Sequence, residues 1–538
     1  MNTATANLLA KYFDAAFNAP EGIKKLRELI LTLAMQGKLV EQDPSDPPAS
    51  ELLKAIEAEK QQLIKDKKIK KPKPLPAIKP EEQPYQLPKG WEWVRLGNVL
   101  HFEYGNNLPK NKRSNSGEFP VYGSNGIVGT HKEAFVQDRC IVIGRKGSAG
   151  ALNLCLSYGC CVTDVAYYCV PPSCIDLNFS FKLLCNLKLE TLGKGIKPGL
   201  NRNDAYNLLI AIPPFSEQLR IVARIDQLMA LCDKLEKLRA ERVEKRQAVH
   251  AAAIQQLLEA PNSSAWNFIQ QHFGELYSVK ENITELRKAI LQLAMQGKLV
   301  AQDPSDPPAS ELLKAIEAEK QQLIEDKKIK KPKPLPTIKP EEQPYQLPKG
   351  WEWVRLNDVL DVRDGTHDTP KYVNTGYPLV TSKNIYAGQL SLDNIKYISK
   401  EDHKKISERS KVDKGDILFA MIGSIGNPVI VDLDIEFSIK NIALFKYFIE
   451  GTPNNRYLHY YLIYAQKKMK TMSSGAVQSF VSLSFLRNYP FPLPPLPEQK
   501  RIVARIDQLM ALCDKLEQQI EAATDKQTEL LNTVAARI

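Results

Sequence analysis

Apolar residues between Leu26 and Val40 recur at helical spacing and stop at Gly37-Lys38, after which Pro44, Pro47 and Pro48 forbid continuation. Ser50 is then placed to cap a second helix, SELLKAIEAEKQQLIKDKK, whose Glu-to-Lys spacing suits an exposed face. The stretch KKPKPLPAIKPEEQPYQLPKGW that follows predicts an extended, polyproline-like lead into the next domain. From about residue 101 the pattern changes to short β-branched and aromatic runs broken by Gly, Asn and Pro, such as RCIVIGRKGSAGALNL and YYCVP. These predict strands in a compact α+β module. Beyond the proline stop IPPFSEQ (212–218), Ile221, Ile225, Leu228, Cys232 and Leu235 are spaced 4, 3, 4, 3, an a/d heptad seam. A helix of about 40 residues, ~60 Å long, is expected there.

The whole pattern then occurs again. Residues 30–100 recur at 290–360, differing at six positions: Thr32/Gln292, Glu41/Ala301, Lys65/Glu325, Ala77/Thr337, Gly97/Asn357 and Asn98/Asp358. RIVARIDQLMALCDKLE is identical at 220–236 and 501–517, so Ile502, Ile506, Leu509, Cys513 and Leu516 repeat the seam. The intervening segments, 101–211 and 361–492, look unrelated to each other, the second carrying GDILFAMIGSIGNPVIVDL and NIALFKYFIE. The fold expected is α+β: two strand-rich modules joined by two long helices, with a pseudo-twofold internal repeat. Two copies of one seam point to mutual packing as an antiparallel intramolecular coiled coil, over burial of each seam in its own globular core.

Composition changes this picture little. At 538 residues the chain has room for three or four domains, and 43% apolar with 25% charged residues describes an ordinary globular protein. A net charge of +11 leans towards an acidic partner, although much of the excess sits in the first linker (Lys54, Lys60, Lys65, Lys67, Lys68, Lys70, Lys71, Lys73, Lys79). The start, MNTATANLLAKYFDAAFNAPEG, reads as a short amphipathic helix and not as a signal. Without a run of ~18 uncharged apolar residues, no membrane span and a cytoplasmic setting are expected. Seven of nine cysteines lie between Cys140 and Cys185. Cys155/Cys160 and Cys169/Cys174 give paired C-x4-C spacings, but in Val/Tyr/Leu-rich sequence they read as small buried hydrophobes, and no metal is expected.

Catalytic motifs are missing. DPPA (46–49, 306–309) lacks the aromatic residue of an amino-methyltransferase tetrapeptide, and IPPF (212–215) lacks its polar first residue. There is no P-loop, and IGRKGSAG is a tight turn that does not open a long helix. The Glu57-Ala58-Glu59-Lys60 stretch belongs to a surface helix, and the histidines show no zinc-hydrolase spacing. What remains is binding chemistry. YGSNGIVGTHK (122–132) sets polar side chains among glycines, Lys132 and Arg145 add charge, and DGTHDTPKY (364–372) and TSKNIY (381–386) do similar work in the second module.

Two unlike modules, each followed by IPPFSEQLRIVARID (212–226) or LPPLPEQKRIVARID (493–507), resemble the specificity subunits of type I restriction–modification systems. LILTLAMQGKLV (29–40) and AILQLAMQGKLV (289–300) are similar to that family's helix-end element. YGSNGIVG, IGRKGSAG and GLNRNDAYNL resemble loops of one type of target-recognition domain; DGTHDTPKY, KGDILFAMIGSIG and SGAVQSFVSLSFLRN resemble those of another. The long lysine/proline linker departs from the family's shortest members. On this resemblance the chain comprises a helical constant region with its linker (1–90), a first recognition domain (91–214), a central constant region (215–350), a second recognition domain (351–496) and a C-terminal helix (497–538).

The resemblance implies a non-catalytic DNA-binding subunit. Each recognition domain would read half of a bipartite site in double-stranded DNA, and the paired helices would set the gap. Two adenine methyltransferase subunits and motor–nuclease restriction subunits would be its partners, with S-adenosylmethionine, ATP and Mg2+ on those partners and no cofactor here. DNA contacts are expected from Tyr122, Ser124, Asn125, Arg145, Lys146, Asn201 and Arg202 in the first module. In the second they are expected from His367, Thr369, Lys371, Ser382, Lys383, Asn384, Ser424 and Gln478. The competing reading is a coiled-coil scaffold that displays two modules binding something other than DNA.

Overall fold

The computed structural model describes residues 19–536 apart from 68, 70, 115, 194–198, 261–263, 387 and 473–479. The helix expected at the start of the chain and Gln478 lie outside the described residues. The chain divides into two compact units, Met1–Arg242 with Ala522–Ile538, and Val243–Glu521. Among the described residues no helix is long and apolar enough to cross a membrane.

In the first unit, helix α1 (Gly22–Met35) stops where expected, at Gly37. That residue adopts φ +66°, and the next N–H, of Lys38, turns back to the Leu33 carbonyl at 2.9 Å, a glycine C-cap. Helix α2 (Ala49–Lys65) begins one residue before the serine expected to cap it. A tertiary contact sets that start: the Ala49 N–H donates to the Gly90 carbonyl at 2.8 Å and its methyl group is fully buried. The linker is extended but not free, because Leu75 and Leu87 pack on the core and the Tyr85 hydroxyl donates to the Met35 carbonyl.

The first module opens with β1 (Glu92–Arg95). It continues through β2 (Glu103–Tyr104), β3 (Phe119–Tyr122), β4 (Ile127–His131), β5 (Cys140–Gly144), β6 (Leu152–Cys155), β7 (Cys161–Val162), β8 (Ala166–Cys169) and helix α3 (Leu177–Asn186), and closes with β9 (Leu209–Ile212). Entry and exit strands pair antiparallel, Glu92 opposite Ile212, so the module is clasped at its base. Above the clasp lie a four-stranded sheet, β2-β8-β5-β6, and a three-stranded sheet, β4-β3-β7, in which β3 and β7 run parallel. Helix α4 (Phe215–Glu259) follows at once.

The second unit repeats this plan. After α5 (Lys280–Met295) and α6 (Ala309–Glu325) come β10 (Glu352–Arg355), β11 (Leu360–Asp364), β12 (Tyr372–Val373), β13 (Tyr377–Val380), β14 (Lys396–Ile398), α7 (Lys400–Ser410), β15 (Ile417–Ala420), β16 (Gly426–Ile430), β17 (Ser438–Ile439), β18 (Ile442–Tyr447), α8 (Asn455–Met472) and β19 (Pro490–Leu493). Strands β10 and β19 form the clasp, and the sheets are β11-β18-β15-β16 and β12-β14-β13-β17, with β13 and β17 parallel. Two segments without visible sequence similarity therefore share one core topology, to which the second adds β12 at the edge of its smaller sheet.

The long helices α4 and α9 (Leu496–Ala536) have 45 and 41 residues. Each unit takes the N-terminal part of one and the C-terminal part of the other. Of the seam residues, Ile221, Ile225 and Cys232 are buried in one core with Ile30, Ala34 and Trp91, and Ile502, Ile506 and Cys513 with Ile290, Ala294 and Trp351. Leu228, Leu509 and Leu516 are half-buried, and Leu235 is 41% exposed, so the first seam ends sooner than its spacing predicts. The first core draws on the helix and module of its own repeat, whereas the second also takes in Ala253, Ile254 and Leu257 of α4 beside the α9 seam. Arg27 of α1 binds Asp233 (2.6 Å) and Glu236 (2.8 Å) as Arg287 of α5 binds Asp514 and Glu517. Near the end of α9, Leu531 is 1% exposed against Leu29 and Leu33.

The repeated Glu-Gln after each proline stop fastens the long helix to its module. Glu217, 1% exposed, accepts from the Trp91 indole (3.0 Å) and the Gln42 amide (3.1 Å); Glu498 accepts from Trp351 (2.9 Å) and Gln302 (2.8 Å). Gln218 accepts from the Asp176 N–H and Gln499 from the Asn454 N–H, joining the same helix to the module's own helical segment.

Candidate nucleic-acid interface

In each module several turns converge at one end of the two sheets. The Thr163 N–H donates to the Tyr122 carbonyl, Arg145 N–H to the Val165 carbonyl and Leu200 N–H to the Arg145 carbonyl. In the second module Lys440 N–H donates to Val380, Met421 to Asn441 and Val481 to Met421, the same three ties. Close approach is built in: a Cβ on Gly105 would stand 2.2 Å from the Thr163 carbonyl oxygen, and one on Gly365 2.1 Å from that of Ile439. Only glycine fits at these two places.

The first module's edge is an arginine–tyrosine cluster. Tyr104, at the end of β2, is 48% exposed and carries the Arg145 guanidinium 4.8 Å and the Arg202 guanidinium 4.8 Å from its ring centroid. Arg145 donates to the Asp164 carbonyl (2.7 Å) and Arg202 to the Phe102 carbonyl (3.1 Å), which leaves each a fork of further N–H donors. Lys146 is exposed beside Arg145, and Asn201 is exposed while its side chain caps the short helix Arg202–Tyr206 by accepting from Asn203 N–H. Asn125 is exposed and Ser124 half-buried, with the Ser124 carbonyl against Gly144. Five of the predicted residues, Asn125, Arg145, Lys146, Asn201 and Arg202, thus lie on loops of one edge with donors available. Tyr122 does not join them: it is 7% exposed, and its hydroxyl lies beside Cys155 in the interior, where burial pushes its pKa up.

The second module has different chemistry at the matching places. Asp364, in the place of Tyr104, is buried; His367 meets its carboxylate through Nε2 (2.9 Å) and Asn441 through Nδ1 (3.0 Å), while Arg409 also pairs with Asp364. The His367 ring is therefore held on both edges at an exposed position. Thr369 accepts from Lys440. Lys371, Lys383 and Ser424 are exposed and Ser382 is half-buried. Asn384 is half-buried and engaged within its own turn, accepting from the Thr381 N–H and hydroxyl and donating one amide hydrogen to the Ser391 carbonyl, which leaves it a second amide donor.

Sequence reasoning missed Tyr104, Arg409 and Lys440. A signal for the first was present: Tyr104-Gly105 and Asp364-Gly365 stand 260 residues apart, the same offset as the long repeat. The cysteines read as small buried hydrophobes are mostly buried, but their paired spacing does not say which of them meet. Among the described residues the sulfurs that meet are those of Cys140, Cys155 and Cys160, all within 4.8 Å of one another, while Cys169 and Cys174 stay apart from them.

The type I restriction modification DNA specificity domain matches twice, over residues 88–245 and 348–524. The type I restriction enzyme EcoAI specificity subunit of Escherichia coli is 34% identical over 552 aligned positions, covering 95% of this chain and 92% of that protein. The EcoEI specificity subunit, also from Escherichia coli, is 32% identical, covering 95% and 93%. Among solved structures, the HsdS subunit from Thermoanaerobacter tengcongensis aligns at 19% identity and TM-score 0.42, covering 84% of this chain and 98% of that one.

Proposed function

The chain belongs to the type I restriction–modification DNA specificity family, and from that premise we propose that its first module reads one half of a bipartite DNA site and its second module the other. The long helices set the gap between the halves. The chain directs two S-adenosylmethionine-dependent adenine methyltransferase subunits to the site, and DNA cleavage falls to partner ATP- and Mg2+-dependent motor–nuclease subunits. Base flipping and methyl transfer belong to those partners; this chain chooses the place.

One observation carries the reading. A single topology places different side chains at matching positions of its converging loops: exposed Tyr104 with Arg145 and Arg202 in one module, and buried Asp364 and Met421 with half-buried Leu483 in the other, where His367 and Arg409 are exposed instead. A shared scaffold with exchanged edge chemistry is what recognition of two different half-sites requires. Arginine forks suit guanine edges and phosphates; the His367–Asp364–Arg409 group offers a shorter, more constrained surface.

The decisive experiment is to co-express the chain with a methyltransferase from its own system and map N6-methyladenine across host DNA at single-base resolution. A two-part motif with a fixed gap, lost when this chain is omitted, supports the reading. Methylation that persists without the chain overturns it and favours the scaffold alternative.

A further inference from the structure

We propose that Cys140, Cys155 and Cys160 form a binding site for a thiophilic d10 cation, zinc first among them. The three residues come from separate segments. Cys140 begins β5, Cys155 ends β6 directly opposite it in register, and Cys160 precedes β7 and bridges to Val136. All three are 0% exposed. Their sulfurs lie within 4.8 Å of one another, with Cys140 and Cys160 at 3.8 Å. A zinc–sulfur bond of ~2.3 Å sets sulfur–sulfur edges of about 3.8 Å in a tetrahedral site and about 4.0 Å in a trigonal one. Side-chain adjustments of under an ångström therefore suffice. The Tyr122 hydroxyl beside Cys155 supplies an oxygen for a fourth position. Cys161, the next residue along, is turned away and donates its thiol to the Glu133 carbonyl at 3.0 Å.

The second module shows that the fold does not need cysteine here. In matching register its residues are Asp416, Val431 and Phe437, the last two only 2% and 3% exposed. Where one module fills this space with a valine and a phenylalanine, the other gathers three small soft ligands. The sulfurs release their protons to solvent as the cation binds, so affinity rises with pH. The ion would tie the β5–β6 hairpin, which carries Arg145 and Lys146 at its tip, to the β3–β7 pair that leads into the 122–126 turn.

The test is on the full-length chain, purified in reductant without chelator. Elemental analysis should find about one zinc per chain. Exchange with Co2+ should give thiolate-to-cobalt charge-transfer absorption that is lost in Cys140→Ser and Cys155→Ser and kept in Cys174→Ser. The wild-type cobalt spectrum decides the matter even if a serine variant misfolds. Protein that takes up neither zinc nor cobalt, a disulfide joining any two of the three, or a cobalt signal that survives both serine variants would each overturn the site.

Discussion

Tyr104 separates what a side chain offers from where it is put. The ring is half exposed between two guanidinium groups, so it both orders them and presents a flat apolar face. Arg145→Ala or Arg202→Ala is expected to weaken binding to the cognate site by 1–3 kcal/mol, roughly 5- to 150-fold, and to relax the first half-site alone. Tyr104→Ala should lower affinity because both arginines lose their platform, while Tyr104→Phe should retain most of it. Fluorescence anisotropy of the assembled complex, with oligonucleotides mutated in one half at a time, checks this; equal loss at both halves would contradict it. The sequence marked both arginines by charge and glycine context. It could not show that Tyr122 turns inward or that Asn384 is engaged by its own turn, because what a loop side chain faces depends on the strand pairing beneath it.

At the scale of elements, the attachments between segments matter more than the segments. Glu217→Ala strips an acceptor from both the Trp91 indole and the Gln42 amide, and should cost about 2–4 kcal/mol in urea unfolding of the first unit. Glu217→Gln, which keeps one acceptor oxygen, should cost less; equal midpoints for all three proteins would refute the role. Burial holds the Glu217 carboxyl above its ordinary value, so its stability contribution is largest at low pH and falls as pH rises from the unfolded value through the folded one. The linker titrates in the opposite sense. Arg355, 3% exposed, pairs with Glu342 at 2.7 Å and donates to the Pro336 and Asn488 carbonyls, and Arg95 with Glu82 repeats the clamp. Arg355 holds the Glu342 carboxyl down to about 2, so the tie is complete above the ordinary glutamate range and lost as pH falls towards 2. Acid titration followed by tryptophan fluorescence, with the Trp353 ring tilted against Tyr345 at 5.2 Å beside the linker, should show this release. In Glu342→Gln the same step should be absent. The sequence made the linker extended and proline-stiffened; its anchoring to the body needed the partners Arg95 and Arg355, which arrive only through the clasp strands.

For the whole molecule, the duplication makes a stronger prediction than any residue. Replacing residues 92–212 with the corresponding module of another specificity subunit should change one half of the methylated motif and leave the other half and the gap intact. A chimera altered in both halves would end the modular reading. DNA binding should also weaken steeply with salt, as expected for a chain of net charge +11 that neutralises phosphates. The sequence by itself determined the constant–variable–constant layout, the helix stops at Gly37 and Gly297, the two long helices and the absence of the catalytic motifs sought, because periodicity, punctuation and repetition are local or self-referential. Only the tertiary structure decided that two dissimilar variable segments share one topology, which face of each seam is covered, and which side chains meet at Tyr104, Asp364 and Cys140. Those facts depend on pairings between residues dozens to hundreds of positions apart, where burial and strand register choose the neighbours and the linear pattern carries no record of the choice.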